Sequence, residues 1–461
     1  MDEVAGRLAE HAIGLRYEDV PEAAREKSKQ LILDLLGIAL CASATADSSP
    51  ALRETMLAVG RPGNATLIGE EPRLHPIHAA YLNGAYAHSL DADDTHRAGS
   101  IHPGAPIIPA LIALAENNHL GGRRLIAAMV AGYDVTCKLA MAIDPRSHYA
   151  RGFHPTATCG VFGATAAGAN LLGLDREVLR NGFGINLSQS AGSQQFLIDG
   201  AWTKRIHPGQ AASNAILALE LAQRGFKGPA DCFEGQWAFF HAYSDDAHPE
   251  LAVEGLGTRF EILETAVKPY PCCRYAHGAL DLILKLQREN GLRAADVDGV
   301  RIGLSEVATG IVGRPVEHKR DPRNIVDGQF SMPFLAAAAL TRGRMAWSDY
   351  DLIGDPRLPS LMARVDVVTS PEADRVFPAQ WLTEVEIRAG GRTFAESTAA
   401  VRGEPEAPLS WEELTDKFNS LAADAIADEG RRSMVAATVR RLDEVSDLGE
   451  LGDLLRGSGR S

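Results

Sequence analysis

The chain has no GxxxxGKS/T segment, and no GxGxxG follows a strand-like run, so the signatures of backbone phosphate cradles and of dinucleotide binding are missing. Its six cysteines, at 41, 137, 159, 232, 272 and 273, form no CxxC and no Cys/His pairing at zinc spacing. That pattern predicts reduced thiols, no structural metal and no iron–sulfur set. Basic residues are the minority, 46 against 60 acidic, for a formal charge of −14. There is no Lys/Arg block or basic stripe interleaved with aromatics, which argues against nucleic acid as a partner. The start, MDEVAGRLAEHAIGLRYEDV, carries acids and a helical period where a signal peptide would be basic and then apolar. Apolar runs such as PIIPALIALAE at 106–116 are short for a membrane span. A soluble, cytoplasmic protein with no membrane partner and no cofactor is expected, whose own side chains carry any chemistry.

What is present is length and small apolar residues. At 461 residues the chain exceeds one simple core and should divide into two or three domains. Up to about 265 the pattern is helical, in Ala/Leu/Ile-rich segments such as EAAREKSKQLILDLLGIALCAS and GRRLIAAMVAGYDVTCKLAMAI broken by Gly and Pro. After KPYPCCRYAHG the texture changes to alternating VDGVRIGLS, a helix in SMPFLAAAALTRG, and the runs LTEVEIRAG and RTFAES joined through Gly390-Gly391 as a β-hairpin. Helix returns from WEELTDKFNSLAADAI onward. The division predicted is a helical domain over 1–266 and 401–461, with an α/β domain over 267–400 inserted.

Histidine precedes proline in IHPG at 101–104, FHPT at 153–156 and IHPG at 206–209, each ahead of a small apolar run. Proline disfavours helix in the residue before it and suits the first helical position, so each His-Pro predicts an extended residue feeding a helix start. Unpaired N–H groups and the dipole at such a mouth favour a bound carboxylate and a neutral imidazole. His102, His154 and His207 could together hold a small polyanion. His75-Pro76 and His248-Pro249 read as surface turns. Before His102, the loop HSLDADDTHRAGS gathers Asp91, Asp93, Asp94, Thr95 and His96; before His207 come Lys204 and Arg205. A metal reading of Asp91, Asp93, Asp94, His96 and His102 matches none of the established ligand spacings, and acid–base use suits the residue types better. In KPYPCCRYAH, Arg274 and His277 fall three apart at a helix start and share a face.

The stretches DADDTHRAGSIHPGAPIIPALIALAE, GFHPTATCGVFGATAAGANLLGL, TKRIHPGQAASNAILALELAQRGFKGP, KPYPCCRYAHGALD and NIVDGQFSMPFLAAAALTRG resemble, in this order, the MmgE/PrpD family. That family includes 2-methylcitrate dehydratase, cis-aconitate decarboxylase and iminodisuccinate epimerase. The resemblance implies a mainly α fold with an α+β second domain, that is, a large all-helical domain plus a smaller α/β lid domain. It also implies a homodimer and a site between the domains that needs neither metal nor cofactor. The family's loop aspartate, threonine and histidine fall on Asp91, Thr95 and His102, its GFHP histidine on His154 and its lysine on Lys204. PYPxCRxxH resembles the epimerase branch and adds Arg274 and His277, whereas the decarboxylase histidine falls, ungapped, on Cys273. Phe334 stands where many members carry tyrosine.

The roles implied put Lys204, Arg274, Lys268 and Asp94 on a small polycarboxylate substrate. His102 and His154 transfer protons or stabilise an oxyanion, Asp91 orients a histidine or acts as base, Thr95 hydrogen-bonds the substrate, and His277 completes the catalytic set. The implied activity is a hydro-lyase acting like 2-methylcitrate dehydratase, with epimerisation or decarboxylation of a related acid as the alternative. A non-catalytic carboxylate-binding protein is the alternative of another class. Removing the Lys204 charge is expected to leave stability nearly unchanged.

Overall fold

The computed structural model describes residues 4–377 and 380–457, and these fall into two compact units. One comprises the described residues through Val267 together with those from Ser410 on; the other is Lys268–Leu409.

The first unit is helical. Its main helices are α1 (Glu22–Thr45), α2 (Pro76–His88), α3 (Gly104–Asn117), α4 (Gly122–Ala142), α5 (Gly160–Leu172) and α6 (Thr203–Gln223), and helix Trp411–Ala422 packs along α1. Abundant Ala and Gly lets these helices approach closely, and α6 lies against α2, α3 and α5. The closest approach is at Gly84 of α2 and Gly209 of α6. A Cβ on Gly84 would meet the Gly209 Cα at 2.7 Å, and one on Gly209 would meet the Tyr81 carbonyl oxygen at 2.1 Å. The helices therefore touch backbone to backbone. Two helices, α1 with 24 residues and α4 with 21, are long and apolar enough to cross a membrane, which the sequence reading of short apolar runs did not anticipate. Their most apolar windows are 83% and 94% buried within the protein, which makes them core helices of this unit.

The His-Pro expectation holds twice and fails once. Helix α3 starts directly after Pro103, and His154 is the N-cap of a short helix, Pro155–Thr158. His207-Pro208 instead lies inside α6, which begins at Thr203. A single proline within a helix removes one N–H without ending it where neighbouring helices hold the backbone. His75, expected in a surface turn, caps α2, its Nδ1 accepting from the Ile77 N–H at 3.4 Å.

The second unit is α/β. Strands β1 (Val297–Leu304), β2 (Val365–Thr369), β3 (Thr383–Ala389) and β4 (Arg392–Thr398) form one mixed sheet in the order β2-β1-β3-β4, with β1 and β2 parallel. The β3–β4 hairpin turns through Gly390 at φ 56° and Gly391 at φ 74°, the pair of positive angles that a two-residue turn requires for strands of natural twist. Helices α7 (His277–Asn290) and α8 (Met332–Arg342) pack on the sheet; Ser331 caps α8 through the Phe334 N–H and Gly343 ends it. Phe334 is fully buried and stacks on Tyr350, so its lack of a hydroxyl concerns the core of this unit.

Gly209→Ala should lower the melting temperature, overpacking of this kind costing about 1–3 kcal/mol or more. Gly310, in the helix Glu306–Val312, has nothing within 4 Å of an added Cβ. Gly310→Ala should therefore be neutral or slightly stabilising, the comparison being read by thermal denaturation. Equal behaviour of the two variants would remove the crossing from its structural role.

Candidate active site

The loop from Asp91 to Pro103 is built by side chains. Asp91 has φ 53°, a left-handed conformation that aspartate tolerates better than most residues. Thr95–His96 pairs antiparallel with Thr265–Ala266, and His96 also bridges Ile101. The His96 Nδ1 accepts from the Gly99 N–H at 3.1 Å, so its Nε2 donates to the Glu261 carboxylate at 3.2 Å. Burial alone would raise Glu261, but His96 and Lys138, whose Nζ is 3.0 Å away, hold it at about 2. This buried ion network anchors the base of the loop.

Asp94 is the inner node. One carboxylate oxygen accepts from the Tyr133 hydroxyl at 2.7 Å and the other from the Gly104 N–H at 3.0 Å. Burial, with the neighbouring Asp93 adding to it, pushes the Asp94 carboxyl up to about 7 against the pull of these bonds. Its backbone carbonyl takes the His102 Nδ1 at 2.8 Å. A carbonyl only accepts, so His102 carries its proton on Nδ1, and in the neutral ring the lone pair lies on Nε2. Asp93 Oδ2 is 2.6 Å from His88 Nδ1 and 3.5 Å from His102 Nδ1. The His102 N–H donates to Thr156 Oγ1 at 3.1 Å, tying the first His-Pro turn to the helix that His154 caps.

Four imidazoles then adjoin. His102 sits edge-on to His88 at 4.9 Å between centroids, His88 stacks on His154 at 5.6 Å, and His154 Nδ1 lies 3.1 Å from His207 Nδ1. Burial pushes His207 down to about 4 and His154 well below the usual range, the neighbouring imidazoles and Lys204 adding to it. Both rings are neutral at pH 7. Lys204, in the first turn of α6, places Nζ 2.6 Å from Asp91 Oδ1. Burial alone would lower the lysine, yet the ion pair outweighs it and holds its pKa above the ordinary value. The arrangement therefore combines neutral imidazoles able to give or take protons with one pinned ammonium.

Of the residues singled out in the sequence, Asp91, Asp94, His102, His154 and Lys204 thus meet in the first unit. Thr95 joins them on its short strand, partly exposed while His96 is buried. Each Asp94 oxygen already accepts a hydrogen bond, and its backbone carbonyl positions His102. Arg274 and His277 lie in the second unit. The Arg274 guanidinium holds Glu404 at 2.7 and 2.9 Å and donates to His277 Nδ1 at 2.8 Å. The fully buried His277 in turn donates from Nε2 to the Cys272 carbonyl at 3.1 Å. Both hydrogen-bond within the second unit. Lys268, at the start of that unit, is buried.

The metal set considered from sequence disperses: Asp91 goes to Lys204, Asp94 to Tyr133 and Gly104, and His96 to Glu261. Another trio, His88, Asp93 and His102, brings ligand-type atoms within 4.8 Å of one another. Asp93 Oδ2 and the Asp94 carbonyl already engage His88 Nδ1 and His102 Nδ1, and we read the trio as a hydrogen-bonded imidazole–carboxylate group. Sequence reasoning missed His88, although it ends the helix that leads into the polar loop. Tyr133, within apolar α4, gives no local signal.

Asp94→Asn provides a pH test. A carboxyl whose folded pKa is raised contributes its stability fully below the unfolded value near 4 and loses it as pH rises through about 7. The amide has no such loss, so the stability of Asp94→Asn minus that of wild type should grow by roughly 1.4 kcal/mol per pH unit between about 4 and 7. Denaturant melts across that window measure it, and a pH-independent difference would contradict the placement.

The whole chain has relatives. Two family models match it, MmgE/PrpD N-terminal domain over residues 6–252 and MmgE/PrpD C-terminal domain over 270–443. It is 26% identical to cis-aconitate decarboxylase of Aspergillus terreus, over 98% of this chain and 96% of that one. To the cis-aconitate decarboxylase of Homo sapiens it is 25% identical, over 96% and 92%. To the 2-methylcitrate dehydratase of Cupriavidus necator it is 23% identical, over 78% and 76%. With a helical unit, an α/β unit and both family domains matched in order, the chain belongs to the MmgE/PrpD family.

Proposed function

We propose that the protein is a lyase that dehydrates a small hydroxylated tricarboxylate or dicarboxylate of the 2-methylcitrate type, without metal or cofactor. The observation that carries this reading is the tautomer of His102, protonated on Nδ1 by its bond to the Asp94 carbonyl, in one cluster with the neutral His154–His207 pair and the Lys204 ammonium. Dehydration needs both a base for the proton beside a carboxylate and an acid for the departing hydroxyl. His102 supplies the first and His154 the second, while Lys204 holds a carboxylate and stabilises the charge that develops on it. Asp91 fixes the lysine, and Thr95 hydrogen-bonds the substrate. Decarboxylation is the second reading, favoured by the relatives named cis-aconitate decarboxylase, which align over nearly the whole chain. It uses the same carboxylate-stabilised carbanion but asks only for the acid.

A panel of 2-methylcitrate, citrate and cis-aconitate, followed by ultraviolet absorbance of the double bond, released carbon dioxide and optical rotation, separates dehydration, decarboxylation and epimerisation. Binding of the panel with no turnover would replace the lyase by a carboxylate-binding protein.

Lys204→Met should reduce turnover roughly a hundredfold or more, the scale of losing a positioned charge stabiliser. Against the sequence expectation of nearly unchanged stability, the exchange should also destabilise the protein, because it removes the 2.6 Å ion pair to Asp91, which is 6% exposed, and breaking a buried pair from one side costs about 3–5 kcal/mol. Asp91→Asn combined with Lys204→Met should recover most of that stability and none of the activity. A double variant as active as wild type would take Lys204 out of the site.

A further inference from the structure

We propose that His154 and His207 form a two-ring proton relay, in which a proton lost from Nε2 of one imidazole is replaced through the Nδ1···Nδ1 contact by one taken up at Nε2 of the other. The proposal deepens the lyase reading, on which it rests for the identity of the acid. Its geometric basis is that contact, 3.1 Å between two Nδ1 atoms. Two nitrogens bond only if one carries the proton and the other does not, and a neutral ring has one N–H. The ring donating through Nδ1 therefore has a bare Nε2, and the ring accepting through Nδ1 carries its proton on Nε2. The pair always presents one acid and one base, in opposite tautomers.

The surroundings keep it in that state. Neither ring hydrogen-bonds a carboxylate among the described residues, and the facing charged or titratable groups are His88, His102 and Lys204, all of which oppose a further proton. Phe196 stands edge-on to both rings, at 6.3 and 6.1 Å between centroids. Both rings are held through their backbones, His154 by its N–H on the Gly192 carbonyl at 2.9 Å and His207 by the helix crossing two residues on, at Gly209. When His154 gives its Nε2 proton to the leaving hydroxyl, its Nδ1 receives the His207 proton, and His207 Nε2 takes up a replacement from solvent. Each ring ends neutral, one proton having entered and one having left, with the two tautomers exchanged.

The first arm of the test is independent of turnover. Nitrogen-15 NMR of histidine-labelled wild-type protein at pH 7, assigned by signals lost in His154→Gln and His207→Asn, should show the two rings neutral and in opposite tautomers. Identical tautomers, or a charged ring, would overturn the relay. The second arm uses whichever substrate of the panel the wild type converts. His207→Asn keeps a hydrogen-bonding atom near the Nδ1 position but cannot pass a proton, whereas His207→Ala removes both. The relay requires both variants to lose roughly a hundredfold in turnover, the scale of general acid catalysis, with added imidazole restoring the alanine variant only. An asparagine variant within a few-fold of wild type would reduce His207 to a positioning residue and sink the relay. A wild type that converts nothing in the panel counts against the lyase reading alone, and the NMR result then decides the pair.

Discussion

The meeting of α2 and α6 at Gly84 and Gly209 is the constraint on which the rest of the site depends. Because backbone touches backbone there, the ends of the two helices on the site side come together, and α2 ends in His88 while α6 carries Lys204 and His207. Any side chain at either glycine would separate the two groups that close the imidazole cluster. The alanine and glycine enrichment that marks the first unit in sequence is thus more than a packing habit. It sets inter-helix distances to within a few tenths of an ångström, which hydrogen bonds of 2.6–3.1 Å demand.

Around that crossing, electrostatics are arranged so that burial does the tuning. His154 and His207 are kept neutral by desolvation, and their like-signed neighbours reinforce it. Asp94 is buried too, but its two donors hold it in place, so the cost of carrying it is recovered as a fixed His102 tautomer. Lys204 shows the opposite balance, in which a carboxylate at 2.6 Å overrides burial and keeps the charge. One small region therefore holds a cation and several neutral bases side by side. In water each of these histidines would titrate at about 6.5 and would be partly charged at pH 7.

How much of this was legible in the sequence varies with the range of the interaction. The hairpin at Gly390-Gly391, the helix in SMPFLAAAALTRG and the helix starts after His102 and His154 follow from local rules, and they are present. His207-Pro208 misled because a proline at a helix start and one inside a helix read alike; only the packing of α6 on its neighbours decides. Arg274 and His277 are neighbours, as their spacing implies, while their partners Glu404 and the Cys272 carbonyl were not foreseen. Glu404 lies 130 residues away from Arg274, beyond any spacing rule. Tyr133 and Glu261 were invisible for the same reason, being ordinary residues until the fold places them against Asp94 and His96.

The low pKa values of the imidazole pair describe the site before a substrate arrives, and they bear on how it would choose one. An anion placed beside Lys204 favours the charged form of every nearby base, so each carboxylate that binds draws the His154 and His207 values back up toward neutrality. A ligand with one carboxylate would do so weakly, and the Lys204–Asp91 pair would still absorb most of the field. A second or third carboxylate would strengthen that effect. The neutral, proton-exchanging state would then lie close in energy to the charged one, the condition under which a histidine passes protons most readily. On the proposed lyase reading, a polycarboxylate would therefore be preferred both for its binding and because it brings the rings into their working range, whereas a monoacid of the same shape would leave them too weakly basic to be reloaded.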